Sequence, residues 1–196
     1  MIPSLAALAA LLVLVLVFWA VGAHNRLAGM RASLLAAFAR IDPHWKHRYE
    51  LIPHLVEAAK EPLRGEREAL EAVIAARNRA VVENSGAAAD PGSAVAVRQL
   101  ALAENVLRVC MDRFEALLQA AAPPGDATRE LVQDLTSTDH RIAFARQAYN
   151  ETVLHYNTAL RQFPGSIVAS MFGFRPAEPI ETRGIPQERR TGLPEP

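Results

Sequence analysis

No side chain between Met1 and Ala23 is charged, and from Leu5 to Ala23 the chain is apolar apart from Gly22. A run of this kind has few ways to fold. As a helix at ~1.5 Å per residue it extends ~28 Å, close to the hydrocarbon thickness of a bilayer. Trp19 falls near its end, where an indole favours the headgroup region. A buried core helix would carry a polar stripe, and this one has none. A cleaved signal peptide is the competing reading, with Val21-Gly22-Ala23 as a small-residue cleavage site. The absence of Lys or Arg before the run, and the length of the run, favour an uncleaved anchor. Beyond it come Arg26, Arg31, Arg40, Lys46 and Arg48, opposed only by Asp42. The positive-inside tendency therefore leans the rest of the chain toward the cytoplasmic face of a cell (inner) membrane, with the other side as the alternative. The same basic stretch suits anionic lipid headgroups.

The remainder carries helical spacing throughout. One seam steps in fours and threes through Leu131, Leu135, Thr138, Ile142, Ala145, Tyr149, Thr152, Tyr156, Ala159 and Phe163. A second runs Ala96, Leu100, Ala103, Leu107, Cys110, Phe114, Leu117 and Ala121, and a third, looser one runs Leu55, Ala59, Leu63, Leu70, Ile74 and Val81. This is the pattern of a bundle or coiled-coil face. Pro62 and Gly65 predict a kink in the third. Residues 26–52 continue the pattern through Leu27, Met30, Leu34, Phe38, Ile41 and Trp45, and Asp42-Pro43 and Ile52-Pro53 are places to bend or reverse. A reversal gives four packed helices; a kink gives three long ones on a stalk. Breaks are expected from Asn84-Ser85-Gly86 to Asp90-Pro91-Gly92, with Ser93 as an N-cap. Others are expected at Pro123-Pro124-Gly125, followed by an Asp126 or Thr128 cap, and at Phe163-Pro164-Gly165. Such short connections impose antiparallel neighbours. No stretch alternates as a strand would. The expected fold is all-α: an anchor over 1–25, an antiparallel four-helix bundle over 26–172, and a disordered Pro-rich tail over 173–196.

Lys+Arg and Asp+Glu both total 21, so no net charge draws the chain to nucleic acid. Cys110 is the only cysteine, which excludes an intrachain disulfide and a cysteine metal cluster. Histidines stand at 24, 44, 47, 54, 140 and 155 without HExxH or a Glu-x-x-His pairing, so no metal ligand is assigned. No nucleophile, phosphate loop or dinucleotide fingerprint appears, so no catalytic residue and no cofactor are assigned either. The sharpest local feature is Arg146 followed by Tyr149-Asn150 and Tyr156-Asn157. The two Tyr-Asn pairs are seven residues apart and share a helix face. Asparagine is a poor helix former. Two readings follow: polar layers that fix helix register, or the lining of a ligand or partner site. Arg77, Asn78, Glu104, Asn105, Asp139, Arg141 and Arg146 lie beside the seams, where they could pair across helices; solvated flanks are the usual explanation, with exposed pairs worth ~0–1 kcal/mol.

These motifs resemble the LemA family over residues 26–175. Its Arg-Tyr and Leu-Ile-Pro-x-Leu-Val signature is matched by Arg48-Tyr49-Glu50-Leu51-Ile52-Pro53-His54-Leu55-Val56-Glu57, and its Ala-Glu-Asn segment by Ala103-Glu104-Asn105. The run from Arg146 through Tyr149-Asn150, Val153 and Tyr156-Asn157 to Phe163-Pro164 is the most specific match, and Ile167, Ala169 and Gly173-Phe174 continue it. The chain departs from the family over Gln119–Gly125, at Asp139-His140 and at Pro43-His44. The resemblance implies a single-pass membrane protein with a four-helix bundle and a scaffold or adaptor role, without supplying an activity. Related members are associated with membrane metallopeptidases and other envelope proteins, and some with magnetosome membranes. The expected partners are accordingly membrane lipid, another membrane or envelope protein, or a second copy of the chain. The alternative function is a ligand or lipid sensor with its pocket near Tyr149, Asn150, Tyr156 and Asn157.

Overall fold

The computed structural model describes residues 5–121 and 125–181 of the chain. Five helices follow in order: α1 Leu5–Ala59, α2 Arg67–Ala89, α3 Ala94–Ala121, α4 Asp126–Arg161 and α5 Gly165–Phe172. Among the described residues there is no strand. The fold is an apolar N-terminal helix leading into a helical bundle, as the periodicity implies.

α1 is the surprise in length, at 55 residues with Pro43 and Pro53 inside it. Its apolar first part is long enough to cross a membrane and lies wholly outside the bundle core, which removes the core-helix alternative. Its second part contributes Leu27, Leu34, Phe38, Ile41, Trp45, Tyr49, Ile52 and Leu55 to the core. Neither proline reverses the chain, so the apolar N-terminal helix is itself the first helix of the bundle. A helix-interior proline costs ~3 kcal/mol, partly because it orphans the carbonyl four residues back. For Pro53 that carbonyl belongs to Tyr49, and Arg77 Nε of α2 donates to it at 2.9 Å. A side chain from the next helix thus replaces the missing backbone donor.

The reversal occurs at Pro62 and Gly65 instead, where a kink was expected. α1 tapers through a 3.2 Å Lys60 N–Glu57 O bond, and Glu66 N–Leu63 O at 2.9 Å leads into α2. α2 is antiparallel to α1: Asp42 meets Asn84, while Tyr49 meets Arg77 further up. The loop expected from residue 84 is also corrected, because α2 continues to Ala89. Asn84 is only 2% exposed, and its Nδ2 donates to Asp42 Oδ1 at 2.8 Å. The Ser85 hydroxyl donates to the Val81 carbonyl at 2.9 Å within the same helix. The turn shrinks to residues 90–93, where Ser93 Oγ accepts the Ala96 N–H at 3.3 Å in the expected capping role. Pro123 and Pro124 lie outside the described residues. α4 starts from Gly125 as its N-cap, without a side-chain cap from Asp126 or Thr128.

α4 runs back toward the apolar end of α1. Arg48 faces Asp139, Phe38 packs edge-on against Tyr149 at 5.9 Å, and Trp19 meets Phe163 at 5.1 Å. Phe163, placed on the seam by spacing, points outward because α4 has already ended at Arg161. α5 then turns onto α1 and α4, with Gly165 so close to the Ala159 carbonyl that a Cβ would lie 2.1 Å from it. Gly173, with φ of 72°, closes α5 in the left-handed conformation that glycine adopts at no steric cost.

The disordered tail expected from residue 173 is corrected over its first part. Residues 174–181 lie against the bundle, with Ala177 and Ile180 buried in its core. The rest of that tail, 182–196, lies outside the described residues.

Candidate functional site

α1 packs along α4 and α2 packs along α3, but α3 and α4 scarcely touch. A cleft between these two helices results. One half of it is filled by the chain itself, and the other half is open.

The filled half accounts for both asparagines. Asn150 Nδ2 donates to the Ile180 carbonyl at 3.1 Å while its Oδ1 accepts the Ile180 N–H at 2.9 Å. Asn157 holds Ala177 in the same way, at 2.8 Å and 2.9 Å. Between them the Tyr149 hydroxyl donates to the Glu178 carbonyl at 3.0 Å. The match is metric. Seven residues of helix rise ~10.5 Å, and three residues of extended chain span ~10 Å, so two amides on one helix face meet residues 177 and 180 in register. Each amide reads main chain only, using its donor and acceptor together. On the α3 wall, Arg98 forks onto the Glu178 carboxylate with two 3.0 Å bonds, and Asn105 Nδ2 reaches the Glu181 carbonyl at 3.2 Å. The doubled Tyr-Asn motif therefore clamps an extended segment; it neither forms a polar layer between helices nor faces an empty pocket. Burial raises the Tyr149 phenol above its ordinary range, with the Glu178 carboxylate adding to the effect. Tyr156 is buried and raised for the same reason, against an opposing effect of Arg31.

The open half is a cavity of about 330 Å³ lined by residues of α1, α3 and α4. Its floor is a polar cluster. Glu104, only 4% exposed, accepts the Tyr49 hydroxyl at 2.6 Å and pairs with Arg48, which also reaches Asp139 at 3.2 Å. The Arg48 guanidinium stacks near the Tyr49 ring at 5.6 Å. Burial alone would lower the Arg48 pKa, but Glu104 and Asp139 more than reverse this and hold it firmly charged. Burial raises the Tyr49 phenol, as does the adjacent Glu104 carboxylate, so it remains a donor. Around this floor stand Arg146, Arg108, Asp112 and Glu115. Arg146 is pushed down by burial, with Glu104 opposing and Arg48 and Arg108 reinforcing. Asp139 is pushed up by burial against the pull of Arg48, and Glu115 is pushed up by burial and then by Asp139 and Asp112. A mixed-charge cleft of this kind can recognise polar main chain and charged side chains of both signs.

The signature residues divide accordingly. Ile52, Leu55 and Val56 are core, and Arg48 and Tyr49 form the polar floor. Pro53 sets the need for Arg77, while Phe163 and Pro164 lead into α5. Among the flanking charges read as solvated, Arg77 and Glu104 are structural. The signal for Glu104 was present: it stands one helical step from Leu100 and Leu107, an acidic residue on a core face. Among the described residues no three of His, Cys, Asp and Glu are grouped to hold a metal ion. His47 pairs with Asp134 of α4 at 3.3 Å, and His44 lines a groove with His140 and Arg141 of the same helix.

Comparison with known proteins gives one family match, the LemA family, over residues 37–191. The matched region begins within α1, covers both halves of the cleft and extends past the clamped segment. No curated protein matches the chain.

Proposed function

The chain belongs to the LemA family, and from that premise we propose that it is a single-pass, membrane-anchored helical adaptor that receives an extended segment of another protein in the cleft between α3 and α4. One observation carries this reading. Half of the cleft already holds extended polypeptide by its main chain, and the adjoining half is open over a charged floor. Main-chain recognition supplemented by a few side-chain contacts is a general way to take up an extended peptide. The fitting partner is another membrane or envelope protein, a membrane metallopeptidase among them, with a second copy of this chain as the alternative. No catalytic role is assigned to any residue. The apolar first part of α1 serves as the span in the inner membrane, and the basic flank from Arg26 to Arg48 favours a cytoplasmic bundle.

The sensor alternative loses its pocket, since Ala177–Ile180 occupy the face assigned to the ligand. A ligand there would first have to displace that segment.

The test uses the full chain in native membranes with a photo-crosslinking residue at Ala143, which lines the open half, or at Val82 on α2. Adducts to one defined protein from position 143 that are absent from 82, and that disappear on Arg146→Glu, are expected. Adducts equal at both positions, or none at 143, would overturn the reading.

A further inference from the structure

The polypeptide between Arg161 and Arg175 carries no charge from Gln162 to Phe174, and it holds the most exposed aromatic and aliphatic side chains near the membrane end of the bundle. Phe163 is 73% exposed, Met171 72%, Phe172 55% and Ile167 48%. The opposite face of α5 is used internally: Gly165, Val168 and Ala169 are buried. A short helix that buries small residues and exposes large ones is inverted relative to a helix designed for water.

Its position resolves the inversion. α5 lies against α1 where the apolar run ends: Trp19 packs on Phe163 at 5.1 Å, and His24 contacts Phe172 at 4.6 Å and Phe174 at 5.4 Å. The apolar patch is therefore continuous with the exposed surface of the span, from Leu8 through Val17 and Phe18 to Trp19. Along α1 the contacts of this segment run from Trp19, against Phe163, to Leu27, beside Gly165, an axial extent of ~12 Å directly after the apolar run. Arg161 and Arg175 flank the segment in the sequence, and Arg26 lines a cavity with Phe163 and Gly165. Aromatic and apolar side chains on one face, bordered by arginines, match the headgroup boundary of a bilayer.

We propose that Phe163 and α5 form a second membrane contact, an interfacial foot that inserts Phe163, Ile167, Met171 and Phe172 into the same leaflet from which α1 emerges. This rests on the reading of α1 as a membrane span. A protein occupant would have to lie inside the headgroup layer to cover the patch, whereas lipid is already there. The foot and the span then hold the bundle at two points, fixing its orientation on the membrane.

The test is nitroxide accessibility in the full chain, carrying Cys110→Ala and reconstituted in vesicles of phosphatidylcholine and phosphatidylglycerol. Single labels are placed by Leu12→Cys in the span, Met171→Cys in the foot and Phe144→Cys on the outer face of α4, which is 78% exposed. At positions 12 and 171, collisions with oxygen should exceed those with an aqueous nickel chelate several-fold, and at 144 the order should reverse. If 171 behaves as 144 while 12 remains in lipid, the foot is wrong and the span stands. If 12 is also aqueous, the span fails and the foot with it. Protection of 171 from both reagents, with spin–spin broadening, would assign the patch to a second copy and overturn lipid contact.

Discussion

Asn157→Ala offers the most direct measurement of the clamp, because one of the bonds it removes protects a named amide. In the parent the Ala177 N–H is given to Asn157 Oδ1 at 2.9 Å, and the Ala177 carbonyl accepts from Nδ2 at 2.8 Å. A net ~0.5–1.5 kcal/mol per bond gives ~1–3 kcal/mol for the pair, which raises the local opening equilibrium roughly 5- to 150-fold. Residue-resolved hydrogen exchange is the assay. The Ala177 amide should exchange faster by that factor, Ile180 by less because Asn150 still holds it, and the α3 and α4 core amides around Leu107 and Ile142 should be unchanged. Local opening below the global unfolding energy is what permits this separation. Two results would refute the reasoning. Unchanged Ala177 exchange would mean that the bond contributes nothing. Acceleration spread equally over the core amides would mean that Asn157 fixes helix register after all.

Arg77→Met should cost ~1–3 kcal/mol in urea unfolding by orphaning the Tyr49 carbonyl. In a Pro53→Ala background most of that cost should vanish, since residue 53 then supplies the N–H itself; equal costs in both backgrounds would contradict the proline account. Glu115 has a raised pKa, so the folded state holds its proton more tightly than the unfolded chain does, and stability is lost as pH rises from the ordinary carboxylate range through the raised value. Glu115→Gln should therefore raise Tm at pH 7, with the gain shrinking toward pH 4 in parallel melts. Gly165→Ala should destabilise by ~1–3 kcal/mol through the clash with the Ala159 carbonyl. Gly29→Ala, with nothing within 4 Å of its added carbon, should instead stabilise by ~0.5–1 kcal/mol; thermal melts that rank the two the other way would be decisive.

Periodicity made the helices legible, because a 3.6-residue repeat of apolar side chains has no other use. Leu100, Leu107 and Phe114, or Leu135, Ile142 and Tyr149, are buried as their spacing requires. Local propensity was less informative wherever a distant partner intervened. Asn84-Ser85-Gly86 reads as a break, but the bond from Asn84 to Asp42 lies 42 positions away and keeps α2 intact. Pro43 and Pro53 read as bends for the same local reason, and Arg77 compensates one of them from another helix. The Tyr-Asn motif was visible as a pair of like sites on one face, while its occupant was not. Ala177 and Ile180 sit among prolines and charges, and two small apolar patches three residues apart give no period. Counting along a seam also overran its helix at Phe163, since a repeat does not report where the backbone stops being helical.

α1 is one uninterrupted helix from Leu5 to Ala59, and this has a mechanical consequence. With no swivel between the proposed span and the bundle, the slant of the one is the slant of the other. From Ala23 to Ala59 the rod measures ~54 Å, so a ~10° change in slant, a modest response to a thinner or thicker bilayer, carries the far rim sideways by ~9 Å. Any protein held in the cleft would ride that arc, its distance from a neighbour in the same membrane set by the depth of the hydrocarbon beneath.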